Sequence, residues 1–131
     1  MRRSSGHYLV AVGAVAGGLW LRRRWPAGRV EVVGQSMLPA LEPGDRLFVV
    51  RGGRIKVGDV VAVTDPRTSA RTLVKRVAGR GPEGVTVLGD NPASSTDSRE
   101  LGPVAPGSIR GRAVYRYFPE SRRGRLTVPG L

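Results

Sequence analysis

The sequence predicts a mostly β protein, with a compact antiparallel barrel or sandwich core behind a short apolar N-terminal helix. Three observations carry that prediction. Beyond residue 29 the chain falls into short Val-rich runs separated by Gly, Pro and Asp, the pattern of strands and turns. No segment after residue 25 has the length and periodicity of a helix. One uncharged, largely apolar stretch, "YLVAVGAVAGGLWL" at 8–21, precedes the β region between Arg2-Arg3 and Arg22-Arg23-Arg24.

That stretch is the first element. Its 14 residues fall short of the ~20 that a spanning helix needs, but with Ser4–His7 the uncharged run reaches 18, and Trp20 and Trp25 sit where one interface would lie. We read 1–7 as a basic N-terminus and 8–25 as a membrane anchor, a single pass through the cell membrane with 8–21 as the apolar part. The Arg-rich flank offers no small-x-small cleavage site, which disfavours a removed signal peptide. More arginines follow the span than precede it, which favours a main domain on the cytoplasmic side.

The expected strands follow in order: "VEVV" at 30–33, "RLFVV" at 46–50, "DVVAV" at 59–63, "TLVKRVA" at 72–78, "GVTVLG" at 84–89 and "SIRGRAVYRYF" at 108–118. They define one domain over 28–118. The remainder, "PESRRGRLTVPGL" at 119–131, reads as a flexible basic tail.

Composition narrows the chemistry. With two Trp, three Tyr and two Phe in 131 residues, the core must come mostly from Val and Leu. The absence of cysteine excludes disulfides, thiolate metal sites and a cysteine nucleophile. No His or carboxylate cluster has metal-ligand spacing, so neither a metal nor a cofactor is expected. A net charge of +12 would attract phosphate or anionic lipid. However, a basic β-barrel that binds nucleic acid needs interleaved aromatics. Beyond Trp25 the chain offers only Phe48, Tyr115, Tyr117 and Phe118, and no nucleic-acid partner is expected.

The segment "VVGQSMLPALEPGD" at 32–45 sets Ser36 and Met37 between Gly34 and Pro39, in a tight turn directly after an apolar run. A hydroxyl there either bonds its own backbone or acts as a nucleophile, and a nucleophile needs a base. The one histidine, His7, lies beside the apolar segment, far from any triad. Of the 22 cationic residues only Lys56 and Lys75 are lysines, and arginine does not deprotonate in proteins. Lys56 sits in the polar turn "GGRIKVGD", whereas Lys75 is embedded among Leu73, Val74 and Val77. Lys75 either snorkels from a strand edge or is buried with a depressed pKa. Bringing it from about 10.4 to about 7.5 takes roughly 4 kcal/mol, within the range of buried lysines. A polar stretch, "LGDNPASSTDSRELGPV" at 88–104, holds Ser94, Ser95, Thr96 and Ser98 together with Asp97 and Arg99. Asp97 and Arg99 can pair to brace that loop, leaving one of its serines to orient the amine.

Taken together, "GQSMLPAL", "GDVVAV", "KRVAG" and "GDN...SSTDSRELGPV" resemble, in order, the blocks of the type I signal peptidase family, serine endopeptidases with a Ser/Lys dyad. The resemblance extends over 34–104. It implies that Ser36 attacks the scissile carbonyl, Lys75 takes its proton, and Ser95 hydrogen-bonds the lysine. It further implies that Asp97 and Arg99 support the site through a salt bridge, that Asp90 and Asn91 open the last block structurally, and that Met37 helps shape the substrate-binding surface. The partner would be a precursor protein losing an N-terminal signal or propeptide. Gly34 stands where some members carry a serine that donates to the oxyanion. Lys75 and Gly89 are 14 positions apart, which leaves no room for the large β insertion of many bacterial members. The size is similar to that of mitochondrial inner-membrane peptidases or nickel-type superoxide dismutase maturation proteases.

Overall fold

The computed structural model describes residues 26–126. Seven strands form one antiparallel sheet: β1 (Pro26–Glu31), β2 (Arg46–Val50), β3 (Val60–Thr64), β4 (Thr72–Gly81), β5 (Gly84–Leu88), β6 (Ile109–Phe118) and β7 (Gly124–Arg125). Their spatial order is β1-β2-β6-β3-β4-β5, with β7 added to β6. A four-residue helix, α1 (Ser98–Leu101), and three short 3₁₀ turns complete the described residues.

β3 runs through the middle, and its alternation splits the core in two. Val60 and Ala62 join Val32, Met37, Leu41, Leu47, Val49 and Ala113 in one cluster. Val61 and Val63 face the other way, into a cluster with Val77, Val85, Val87 and Val104. A strand buried on both faces is an unbroken apolar run, which is what "VVAV" is. Each fully buried aliphatic side chain contributes roughly 1.5–3 kcal/mol, and valine supplies most of both clusters.

The barrel expectation is corrected: the sheet is open, with no ladder between β1 and β5. The outer edge of β5 is occupied by the chain that follows it. The N–H groups of Val85, Val87 and Gly89 donate in turn to the Val104 carbonyl at 2.9 Å, the Ser98 hydroxyl at 2.9 Å and the Asp97 carboxylate at 2.8 Å. Val104 N–H returns a bond to the Val85 carbonyl at 2.8 Å. An edge strand whose outward N–H groups are satisfied by the following loop has no donors left to pair with another strand.

The first strand lies earlier than 30–33. The Val32 N–H donates to the Asp45 carbonyl and its C=O accepts from the Gly44 N–H, in the turn that enters β2, and Val33 is 78% exposed. The tail expectation is corrected for its first part: Glu120–Arg122 form a 3₁₀ turn, Gly124–Arg125 pair with β6, and Leu126 packs on the first cluster. The apolar helix and membrane anchor expected at 8–25 lie outside the described residues. Among the described residues no helix is long and apolar enough to cross a membrane.

Candidate active site

Ser36 lies on the loop that leaves β1. Gly34 takes φ +78, a left-handed conformation that glycine adopts without strain. A serine at this position would carry that strain. Beyond it, Met37 and Leu41 insert into the first cluster, each 1% exposed, and the Leu41 N–H donates to the Met37 carbonyl at 2.9 Å. The half-buried Ser36 is thereby held directly beside a core anchor. Met37 is thus a core residue that also lines the groove in front of Ser36.

A buried ion cluster fixes the far end of this loop. Asp45, 1% exposed, accepts from the Glu42 N–H at 2.9 Å and from Arg116 at 3.2 Å, and it also pairs with Arg122. Arg116 further donates to the carbonyls of Ala40 at 3.2 Å and Arg122 at 2.6 Å. Burial pushes the Asp45 carboxyl above its ordinary value, with Arg116 pulling it back.

Lys75 is 3% exposed, on β4 opposite Val61. Its Nζ donates to Ser95 Oγ at 3.0 Å, and Ser95 Oγ donates to Asp97 Oδ2 at 2.6 Å. Burial lowers the lysine pKa; Asp97 opposes that shift, while the positive charges of Arg99, Arg71 and Arg67 add to it. Lys56 is exposed. Asp97 caps α1 through the Arg99 N–H at 3.1 Å, accepts from the Gly89 N–H, and forms a two-point ion pair with the Arg99 guanidinium. Burial alone would raise the Asp97 pKa; the hydrogen bonds from Arg99, Gly89 and Ser95 outweigh it and hold the carboxyl well below the usual range.

Asp90 and Asn91 tie the two halves together. Asp90 takes two bonds of 2.9 Å from Arg76, the residue after Lys75, and Arg76 also donates to the Gly58 carbonyl at 2.7 Å. The Asn91 N–H donates to the Ser36 carbonyl at 2.8 Å, and its side-chain amide donates to the Gln35 carbonyl at 3.1 Å. Between them Gly89 is packed so closely that a Cβ would lie 2.7 Å from the Ser36 carbonyl oxygen and closer still to the Ser95 hydroxyl. Any larger residue there would push the Ser36 loop and Ser95 apart.

Ser36 and Lys75 line a common groove of ≈ 210 Å³ without hydrogen bonding to each other. One wall is the Glu31–Met37 segment and the other is Arg71 with the start of β4, Thr72–Lys75. β5 pairs only with Arg76–Gly81, so the Thr72–Lys75 edge of β4 is open toward the groove. All seven residues singled out in the sequence besides Met37 belong to this arrangement. Arg76, Gly89, Asp45, Arg116 and Arg122 were not found by sequence reasoning. Gly89 had a signal in the "LGDN" turn; the arginines had none in a chain so rich in them.

The order of these blocks has counterparts in known proteins. Residues 5–87, which carry both Ser36 and Lys75, match the family described as signal peptidase, peptidase S26. Subunit 1a of the mitochondrial ATP-independent inner membrane protease of Arabidopsis thaliana is 35% identical over 130 aligned positions, covering 79% of this chain and 77% of that protein. Mitochondrial inner membrane protease subunit 2 of Schizosaccharomyces pombe is 34% identical over 125 positions, covering 76% and 69%. The human subunit 1 is 32% identical over 125 positions, covering 76% and 74%. With the family match spanning more than half of the chain, this protein belongs to the signal peptidase S26 family.

Proposed function

We propose that this protein is a serine endopeptidase that removes an N-terminal signal or propeptide from precursor proteins at a membrane, using Ser36 as nucleophile and Lys75 as general base. The observation that carries the reading is the environment of Lys75. It is buried, surrounded by arginines and bonded at 3.0 Å to a serine hydroxyl whose own proton is committed to Asp97. A neutral amine in that setting gives one N–H to Ser95 and keeps its lone pair for another proton.

In the acylation step the Ser36 Oγ–H proton passes to Lys75 Nζ as Oγ bonds the scissile carbonyl carbon. The carbonyl π electrons move to oxygen. The backbone N–H of Ser36 is a candidate oxyanion donor, and such a donor typically contributes ~3–4 kcal/mol. Collapse of the tetrahedral intermediate breaks the C–N bond, and the Lys75 ammonium protonates the departing amine. Water then gives a proton to Lys75 as its oxygen attacks the ester carbon; collapse breaks the C–Oγ bond, Lys75 returns the proton to Ser36 Oγ, and the new carboxyl terminus is released. Ser36 and Lys75 line one groove without a mutual hydrogen bond, and catalytic hydrogen bonds of this kind tighten as substrate binds. Membrane association is supported by the relatives, which are named as inner membrane proteases.

The test is cleavage of a secretory preprotein and a nickel-type superoxide dismutase precursor by wild type, Ser36→Ala and Lys75→Arg across pH 6 to 10. Lys75→Arg keeps the charge and removes the base. Cleavage by wild type alone supports the dyad, and the precursor that is cut defines the substrate class. Comparable cleavage by Lys75→Arg overturns the mechanism.

A further inference from the structure

The groove is not electrically neutral along its length. Three charged side chains line it besides Lys75: Glu31 on one wall, Arg67 and Arg71 on the other. Glu31 pairs with Arg46 at 3.6 Å. Arg67 is held in a two-point ion pair by the buried Asp65, with bonds of 3.0 and 2.9 Å. Arg71 differs from both. Its backbone closes the β3–β4 loop, with its N–H donating to the Thr68 carbonyl at 3.2 Å and its carbonyl accepting from Asp65 at 2.9 Å. Among the described residues its exposed guanidinium has no hydrogen bond or salt bridge. The loop is thus closed by backbone hydrogen bonds and presents to the groove one guanidinium without a hydrogen-bonded or ion-paired partner among the described residues.

The place of that charge relative to the reacting bond follows from strand geometry. Arg71 is four residues before Lys75, about 13 Å at ~3.3 Å per residue. Past Lys75 the edge of β4 is covered by β5, whereas toward Arg71 it is open. An extended peptide with its scissile bond between Ser36 and Lys75 therefore runs toward Arg71 and advances at the same rise per residue.

We infer that Arg71 makes the groove selective for an acidic side chain on the substrate, three to five residues from the scissile bond. The inference rests on the proposed peptidase reading for its register. Its test separates the two. Peptides of one parent sequence, with Glu or Lys substituted singly at each of the five positions on either side of the cut, are bound to full-length Ser36→Ala protein in detergent micelles. The same peptides are offered to the wild type for cleavage. Glu should tighten binding about three- to fivefold at one position, or two neighbouring ones, within the window. The gain should shrink in high salt. In Ser36→Ala/Arg71→Gln the preference should flatten, and in Ser36→Ala/Arg71→Glu it should invert to favour Lys at the same position. Inversion is not produced by a residue that only shapes the loop. A preference that is absent, or unchanged by Arg71→Glu, overturns the inference even if every peptide is cut. Charge-dependent binding with no cleavage by wild type overturns the peptidase reading and leaves the Arg71 recognition standing.

Discussion

The Ser36 loop and the Lys75 strand are each held by an apolar cluster and a buried carboxylate, and the two carboxylates are used differently. Asp45, behind the Ser36 loop, receives one loop N–H and two guanidinium groups and touches no titrating group of the groove. Asp97, behind Lys75, is wired through Ser95 to the amine itself. Both are 1% exposed, yet burial pushes Asp45 up while the fuller hydrogen-bond shell pulls Asp97 down. Burial with arginine partners does not by itself define a role; the atom at the end of the hydrogen-bond chain does. Asp97 acts on the proton affinity of Lys75, and Asp45 on the stability of the loop that carries Ser36.

The sharpest way to break this comparison is to remove the amine. Lys75→Met should lower kcat by at least ~10³-fold, since it deletes the proposed base. It should also hold or raise thermal stability, by on the order of 1 kcal/mol, because an amine with a lowered folded pKa costs stability wherever it is still charged in the unfolded chain. A clear loss of stability on calorimetry would mean that Lys75 is a structural cation.

Next in size are the carboxylates. Asp97→Asn should destabilise by about 2 kcal/mol by leaving a desolvated, hydrogen-bonded charge site half satisfied. Because the Asp97 charge opposes the lowering of the Lys75 pKa, its removal should move the acid limb of the pH–activity profile to lower pH. Asp45→Asn should cost clearly less than Asp97→Asn in denaturant unfolding at neutral pH, because burial already disfavours the Asp45 charge, and should leave that limb in place. If both variants shift the limb equally, the two clusters are not separable.

Arg122→Gln refines the Asp45 half. Its guanidinium meets Glu42 and Asp45 from the 3₁₀ turn beyond β6, tying the C-terminal segment to the Ser36 loop. A loss of about 1–2 kcal/mol is expected, since Arg116 still holds Asp45. Limited proteolysis should then cut near residues 119–126 sooner than in the wild type.

The smallest effect is the acid dependence of stability, where the two carboxylates have opposite signs. The folded pKa of Asp97 is lowered, so its contribution is full above the unfolded value of about 4 and is lost as pH falls below it. The folded pKa of Asp45 is raised, so its protonated form is favoured in the fold, and stability declines as pH rises from about 4 through that folded pKa. Asp97→Asn should therefore flatten acid unfolding below pH ~4, and Asp45→Asn should remove the opposing slope above it.

Much of this was legible in the chain. Valine runs punctuated by Gly, Pro and Asp marked five of the seven strands to within a few residues, because local pattern and burial agree there. β1 was misplaced because Val32 and Val33 look like strand, yet the Val32 backbone is bonded to Gly44 and Asp45 across the loop. β7 and the Arg122 contacts were missed because a basic, Gly-containing segment carries no sign of the buried Asp45 it docks on. Within the site, Ser36, Lys75, Ser95, Asp97 and Arg99 were named by residue type and order, whereas Arg71 was indistinguishable from nineteen other arginines.

By itself the sequence determined the β class, the absence of histidine or cysteine chemistry in the β region, and the choice of lysine over arginine as the one cation able to give up a proton. Those follow from side-chain chemistry and short-range pattern. Only the tertiary structure decided that the sheet stays open, that the 88–104 loop satisfies the β5 edge while delivering Asp97 and Ser95 to Lys75, and that Gly89 lets this loop and the Ser36 loop pack together. These outcomes depend on which distant backbone donors and carboxylates meet after folding, and that is a property of the packed sheet that no local stretch encodes.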